Sequence, residues 1–304
     1  MLQQPRPHHW LYVGILASIW GFAFFLIAIA LRSFPPITLV TLRLVIGAVV
    51  LFLLMRWQGL SLPREPLQWW YFSVLAIQGN LIPFSLISWA ETQIPSSQAG
   101  LIMALMPIST MVLAHYFVPH EQLTSRRALG VVLGFGGVVV LMGSQALGGI
   151  GGVGLWAQLA CVLATFAYAV NTVYAKRLPK MNGLVMGAGS LIAGSLIFIP
   201  VALIVDQPWT LQVSTESWLS IVALGALATG LATWLYFLLI NDCGPNFLSI
   251  INYLIPVISF GAGVVLLSEP AQLSKFIGLI FVFFGIAISQ PRRRSRVLNS
   301  PIEK

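Results

Sequence analysis

One set of side chains in this sequence could bind a solute, because amide, hydroxyl and aromatic groups recur inside long apolar stretches. Asn80 and Phe84 are four residues apart, and Tyr168 and Asn171 are three apart, so each pair shares one helical face. Polar groups within apolar segments are costly and tend to face a protein interior. The predicted lining consists of Trp20, Asn80, Phe84, Trp89, Met103, Tyr168, Asn171, Thr233, Trp234, Asn252 and Tyr253. Such a lining suits a small solute with polar and apolar parts.

For any one of these residues the alternative is a hydrogen bond between helices, at about 0.6–2 kcal/mol for each contact. The two alternatives stay open for single residues, whereas the set as a whole favours a lining.

Two charged residues stand out within or beside the apolar stretches. Arg43 is the basic residue deepest within such a stretch, and Glu91 lies near the end of another. An unpaired charge at that depth costs several kcal/mol, so we predict that Glu91 is the ion-pair partner of Arg43. A gate, or a contact between Arg43 and a carboxylate on the solute, is the alternative role.

Three prolines, Pro83, Pro107 and Pro256, lie well inside apolar stretches. Each removes one helical donor and displaces the carbonyl four residues earlier. The displaced carbonyls belong to Gly79, Met103 and Asn252. Freed carbonyls in a membrane helix must be satisfied by protein or by water in a cavity. We predict that these prolines are hinges of bent helices that line a cavity, and simple packing kinks are the alternative.

Catalytic and metal chemistry have no visible basis in the sequence. The two cysteines, Cys161 and Cys243, form neither a disulfide framework nor a metal-ligand set, and the histidines and acids are scattered. We therefore expect no enzyme, no cofactor and no metal. The net charge of +8 does not indicate nucleic-acid binding, because the basic residues lie in short links between apolar segments.

These side chains must be positioned by membrane helices. The 304-residue chain is 58% hydrophobic and 8% charged, with a mean hydropathy of +0.90. A soluble domain carries about 25% charged residues. The fold class is therefore all-α integral membrane, since runs without strict alternation exclude a barrel. Ten apolar segments are predicted as spans: 10–31, 36–55, 67–89, 95–117, 126–143, 153–175, 182–204, 216–238, 246–267 and 273–290.

The chain contains an internal repeat. Residues 94–141 and 244–288 share an order of proline, apolar stretch, glutamate and glycine-rich stretch. The matching positions are Pro95 with Pro245, Pro107 with Pro256, Glu121 with Glu269, Gly130 with Gly278, and Gly137 with Gly285. We therefore divide the chain into a first repeat (1–147), a glycine-rich link (148–152), a second repeat (153–290) and a basic tail (291–304). Because each repeat has five spans, an odd number, the second must be inverted relative to the first.

The charges predict the orientation. With the N-terminus inside, most of the 16 lysines and arginines fall in cytoplasmic links or in the tail. This asymmetry places both termini in the cytoplasm and the protein in the inner, or plasma, membrane. Glu121 and Glu269 precede the fifth and tenth spans, and we interpret them as structural groups at helix N-termini. Close-approach glycines, such as Gly130 with Gly134 and Gly183 with Gly187, are expected to join helices of a monomer, with a dimer as the alternative.

Several short motifs occur in a fixed order. They are Trp20-Gly21-Phe22, Arg43 within Thr41-Leu42-Arg43-Leu44, Ala99-Gly100-Leu101 followed by Pro107, Glu121 before a glycine-rich stretch, and Pro256 and Glu269 in the second half. In this order the sequence resembles EamA-type members of the drug/metabolite transporter superfamily over nearly its whole length, and most of all the YddG-like metabolite and amino-acid exporters. The resemblance implies ten helices in two inverted five-helix repeats around a central cavity, used for alternating access.

We therefore expect an exporter of small amphipathic metabolites, in particular amino acids. Alternatives on the same fold are a sugar-phosphate or nucleotide-sugar translocator, which would need more cavity arginines and lysines than Arg43, and an exporter of cationic drugs. A membrane-embedded enzyme and a channel fit the sequence less well. No Asp or Glu lies at the centre of a span, which favours facilitated diffusion, and Glu91 is the one candidate for coupling to protons.

Overall fold

The computed structural model describes residues 4–117, 123–142 and 153–289, and this part of the chain is helical and contains no strand. Its long helices are α1 (Pro7–Ala30), α2 (Pro36–Trp57), α3 (Pro66–Glu91), α4 (Ser96–Phe117), α5 (Ser125–Met142), α6 (Val153–Arg177), α7 (Gly183–Val205), α8 (Thr215–Cys243), α9 (Ile251–Leu266) and α10 (Leu273–Ser289). Short helical turns occupy Pro208–Thr210 and Pro245–Leu248.

Seven of these helices, α1 to α4 and α6 to α8, are long and apolar enough to cross a bilayer. Helices α9 and α10 are shorter and apolar. Each helix overlaps one predicted span. The predicted ninth span is divided, because the helix is interrupted at residues 249–250, between the turn at Pro245–Leu248 and the start of α9. The number of crossings and the inversion of the repeats stay predictions, and the proposed link (148–152) and tail (291–304) lie outside the described residues.

Local sequence signals explain where several helices begin and end. Proline occupies the first helical position of α1, α2 and α3, where the missing N–H would have no intrahelical partner. The side chain of Asn182 accepts a hydrogen bond from Leu184 N at the start of α7, and Ser214 Oγ accepts one from Ser217 N at the start of α8. Helix α8 ends at Cys243 and is followed by Gly244, whose φ of 81° would strain any residue with a side chain.

Helices α5 and α10 contact each other backbone to backbone through four glycines. A Cβ atom at Gly130 would lie 2.5 Å from the carbonyl oxygen of Gly285, and one at Gly285 would lie 2.5 Å from that of Gly130. The corresponding distances for Gly137 and Gly278 are 2.8 Å and 2.6 Å. The lower-numbered glycine of each helix meets the higher-numbered glycine of the other, so the helices run antiparallel. Gly183 and Gly187 instead pack against the aromatic side chain of Phe237 on α8, and both sets of small residues join helices of one chain.

Two carboxylates from links in the second half bind helix N-termini in the first half. Asp206 Oδ2 accepts hydrogen bonds from the backbone N (2.7 Å) and Oγ1 (2.8 Å) of Thr38, in the first turn of α2. Glu269 accepts from Ser96 N and Oγ at 2.8 Å and from Ser97 N at 2.9 Å, at the start of α4. Glu269 therefore caps α4, not the α10 that follows it, while Glu121 lies outside the described residues. These caps satisfy orphan donors and tie the halves together.

Candidate functional site

The helices that carry the predicted hinge prolines are irregular near them. A π-helical segment, Ile77–Leu81, precedes Pro83, and a tight 3-10 turn, Met103–Leu105, precedes Pro107. Pro256 lies within α9, shortly after the interruption of the helix that precedes Ile251. Proline has no backbone N–H to donate, so a wider or tighter turn beside it adapts the helix to the missing hydrogen bond. Turns of the π-helical type are frequent at functional sites. The position of these prolines therefore fits a hinge, and that role stays a prediction.

Helix α8 contains a longer π-helical segment, Leu224–Leu231, although it has no proline there. Side chains satisfy two of its carbonyls. Thr229 Oγ1 donates to the carbonyl of Leu224 at 3.0 Å, and Trp20 Nε1 of α1 donates to that of Ala228 at 3.1 Å. This segment lies in the third helix of its half, the same place that Ile77–Leu81 occupies in the other half.

Arg43 is anchored at this point in the interior. Its Nε donates to Thr229 Oγ1 at 2.8 Å, its guanidinium carbon lies 3.8 Å from the centre of the Phe84 ring, and the residue is only 5% exposed. Tyr168 and Glu91 are close enough to interact with it electrostatically. Among the described residues, however, no direct ion pair joins Arg43 to Glu91. The predicted pair is therefore replaced by a hydrogen bond and a cation–π contact.

Glu91 has no hydrogen-bond partner for either carboxylate oxygen within the described chain, although both oxygens are shielded. The rest of its side chain is half-buried. One turn earlier on α3, the buried hydroxyl of Ser88 is also without a partner. Glu91 interacts electrostatically with Arg43, with Glu269 and with Cys161 of α6. Unpaired buried polar atoms are rare in native structures, so each needs an explanation.

Helix α6 brings Asn171 against the π-helical segment of α3. A Cβ atom at Gly79 would lie 2.6 Å from Asn171 Nδ2, so the amide packs directly on this glycine. Asn171 Oδ1 is buried and lacks a partner among the described residues. The neighbouring Asn80 is half-buried. Asn171 therefore lies at the interface of α6 with α3, the helix whose Phe84 contacts Arg43.

The other predicted lining residues lie on different helices. Met103 is buried in its 3-10 turn, and Trp89 is 39% exposed on α3. Trp20 packs beside Tyr236, with ring centres 5.8 Å apart, and Trp234 packs against the same core. Thr233 packs against Gly187, where an added Cβ atom would lie 3.1 Å from Thr233 Cγ2. On α9, Asn252 is half-buried and the Tyr253 ring lies 5.6 Å from that of Phe283.

Several polar groups of the interior were not among the predicted site residues. Thr229, which holds Arg43, is one, and the buried, unpartnered side-chain oxygens of Ser97 and Gln158 are two more. Gln158 could have been found as an amide within an apolar run, and Thr229 as a hydroxyl flanked by glycines in a close-packed helix. Within the described residues, no group of three or more His, Cys, Asp or Glu side chains could hold a metal ion.

The described part of the chain is all-helical, has several helices long and apolar enough to span a membrane, and buries polar groups that lack a partner there, which together define a membrane protein with an internal polar site. Two segments, residues 9–143 and 155–289, match the EamA-like transporter family. The chain therefore belongs to this family, which lies in the drug/metabolite transporter superfamily, and it is a multi-pass integral membrane protein.

Curated relatives cover most of the chain. An uncharacterized transporter of Archaeoglobus fulgidus is 28% identical over 291 residues, which is 93% of this chain and 99% of the relative. The uncharacterized inner membrane transporter YedA of Escherichia coli is 24% identical, with 90% and 87% covered. The aromatic amino acid exporter YddG of Ancylobacter novellus is 30% identical over 235 residues, with 74% and 77% covered. One solved crystal structure, 24% identical, shares the fold with a TM-score of 0.68 and covers 94% of this chain and 97% of its own.

Proposed function

We propose that this protein exports small amphipathic metabolites, in particular amino acids, by alternating access. The observation that carries the proposal is the set of buried polar groups left unpartnered at the α3–α6 interface beside Arg43, in a chain of a transporter family. Groups of this kind gain hydrogen bonds only when a polar ligand or water enters.

The crossing of α5 and α10 supports two inverted five-helix repeats. Gly130 and Gly137 match Gly278 and Gly285 in the sequence repeat, and the contacts join Gly130 to Gly285 and Gly137 to Gly278. Exchanging the two repeats therefore leaves this set of contacts unchanged, as a twofold axis between the helices requires. Because the helices run antiparallel, such an axis is perpendicular to them and lies in the membrane plane, which is the relation of inverted repeats.

Contacts between links support ten crossings with both termini in the cytoplasm. In that topology Asp206 and Thr38 both lie outside, as do Glu269 and Ser96, and both pairs are hydrogen-bonded. On the opposite side, His9 Nε2 lies 3.6 Å from Asp242 Oδ2, close to the N-terminus. The relative YedA is named an inner membrane transporter, and we propose the same membrane here.

Arg43 provides the basis for an amino-acid solute. Its Nε is used by Thr229, while no hydrogen bond to described residues involves its two terminal nitrogens. A guanidinium with two adjacent free N–H groups suits a carboxylate. The aromatic ring of Phe84 lies against it, Tyr168 is close enough to interact with it electrostatically, and the relative YddG is named an aromatic amino acid exporter. A sugar phosphate would need further basic groups, which this interface does not contain among its described residues.

Counterflow in proteoliposomes tests the proposal. Purified protein is reconstituted, and exchange of a labelled solute is measured over a panel of amino acids, sugar phosphates, polyamines and cationic drugs. We expect saturable flux for amino acids, and loss of most of that flux in Arg43→Gln. The matched control is Arg32→Gln, since Arg32 is exposed and its ion-pair partner in the described part of the chain is the exposed Glu216. Flux confined to sugar phosphates or to cationic drugs would contradict the proposed solute class.

A further inference from the structure

The unpartnered oxygens around Glu91 point to a second binding subsite. Resting on the proposed function, we propose that Glu91, with Ser88, Ser97 and Gln158, binds the ammonium group of the transported amino acid.

These four residues form an acceptor cluster, built from α3, α4 and α6. Ser88 and Ser97 are 0% exposed and Gln158 is 5% exposed, yet each has a side-chain oxygen without a hydrogen-bond partner in the described chain. Both oxygens of Glu91 are in the same state.

The segment Ile82–Glu91 of α3 packs against α6, and the first turns of α4, Ser96–Ile102, contact both, so the four residues come from three segments that meet. Ser88 lies one turn before Glu91 on α3. Gln158 lies one turn before Cys161 on α6, and Cys161 interacts electrostatically with Glu91. The backbone N of Ser97 donates to Glu269, the second carboxylate that interacts electrostatically with Glu91.

A cation is the ligand that this cluster lacks. A buried carboxylate without a partner is strongly unfavourable, and Arg43, the basic residue that interacts electrostatically with Glu91, is held by Thr229 and Phe84. An ammonium group carries one positive charge and three N–H donors, which match a carboxylate together with hydroxyl and amide oxygens. It would therefore neutralise Glu91 and satisfy its neighbours in one step.

Two opposite charges that do not pair directly also fit an amino acid. Arg43 and Glu91 interact electrostatically, and no direct ion pair among the described residues joins them, so each charge is left to contact one end of a zwitterion. The carboxylate would contact Arg43 and the ammonium would contact Glu91. A site with buried groups that need a donor rejects analogues that lack it, so the cluster would select against solutes without an amino group.

The test compares L-phenylalanine with L-phenyllactate, which replaces the ammonium by a hydroxyl. Both compounds compete with labelled L-phenylalanine in counterflow with reconstituted protein. In the wild type we expect phenyllactate to compete roughly 10- to 100-fold more weakly, as for a lost hydrogen bond to a charged group. In Glu91→Gln we expect the apparent affinity for phenylalanine to fall by a similar factor, so that the two compounds compete about equally. Glu91→Asp should restore part of the preference.

Glu216→Gln is the control, because this carboxylate is exposed and lies 3.6 Å from Arg32 at the surface. Gln158→Leu provides a second variant, should Glu91→Gln not fold, and should weaken phenylalanine more than phenyllactate. An unchanged preference in a folded Glu91 or Gln158 variant overturns the proposal. A second result would also overturn it: Glu91→Gln keeps the preference for phenylalanine over phenyllactate but abolishes the response of flux to an imposed pH gradient. Glu91 would then carry a proton. Absence of amino-acid flux in the wild type would instead reject the proposed function.

Discussion

Replacing Thr229 by valine should destabilise the protein without changing the shape of its interior. Valine keeps the methyl group that packs against Gly47, where a Cβ atom would lie 2.7 Å from Thr229 Cγ2. It removes the hydroxyl that accepts from Arg43 Nε at 2.8 Å and donates to the Leu224 carbonyl at 3.0 Å.

The magnitude follows from burial. Thr229 is 3% exposed and Arg43 is 5% exposed, so water does not readily replace the lost partner. A hydrogen bond to a charged group contributes about 1.5–3 kcal/mol and a neutral one about 0.5–1.5 kcal/mol, so the loss amounts to about 2–4 kcal/mol. At about 2–4 °C for each kcal/mol, the expected fall in the melting temperature is roughly 4–16 °C.

Thermal unfolding in detergent, followed by size-exclusion chromatography with tryptophan fluorescence, measures this shift. Thr229→Ser should retain most of the stability, because it keeps the hydroxyl. Thr110→Val is the matched control, since Thr110 Oγ1 donates only to the Met106 carbonyl of its own helix at 2.9 Å. A melting temperature for Thr229→Val equal to that of Thr110→Val would refute the anchoring role of Thr229.

Three further predictions concern contacts between helices and access to the interior. Glu269→Ala should lower the melting temperature by several degrees and Glu269→Gln by less, because three hydrogen bonds to the start of α4 are lost or weakened; equal melting temperatures for both variants and the wild type would contradict the cap. Gly137→Val should cost at least about 1–3 kcal/mol, since its Cβ would meet the Gly278 carbonyl, whereas Gly136→Val, with open space around it, should not; unfolding in the same detergent compares the two. In a Cys243→Ser protein, Cys161 should react with a membrane-impermeant maleimide far more slowly than in the SDS-unfolded chain, because its thiol is buried; equal rates would show that the α6 face is open.

The sequence was sufficient to predict the helices, since an apolar run of span length has few alternatives in a bilayer. It also predicted that Phe84 and Tyr168 belong to an interior lining and that Arg43 needs a partner there, because polar and charged groups inside such runs are costly in lipid; it did not predict that Arg43 lies against Phe84. The partner of Arg43 was a different matter. Opposite charge favoured Glu91, whereas the structure uses Thr229, 186 positions away along the chain.

Contacts between residues so far apart in the sequence depend on how each helix is rotated about its own axis. The hydrophobic periodicity of the sequence does not determine that rotation when a helix is apolar on all sides. Irregular turns add to the difficulty. Pro83 and Pro107 marked two of them, but the π-helical segment at Leu224–Leu231 has no proline and arises where α8 packs closely on α2. Glu269 shows the same limit, because its sequence neighbour is α10 and its partner in space is α4.

The π-helical turns have a consequence for the length of the chain. A π-helical turn holds more residues than a regular turn over a similar rise, so α3 contains a surplus within Ile77–Leu81. Deleting one residue there would restore a regular helix and leave Phe84, Ser88 and Glu91 on their present face. A deletion in an ordinary turn would rotate everything beyond it by about 100°. The protein can therefore be shortened inside the membrane at this place with its flanking faces kept in register.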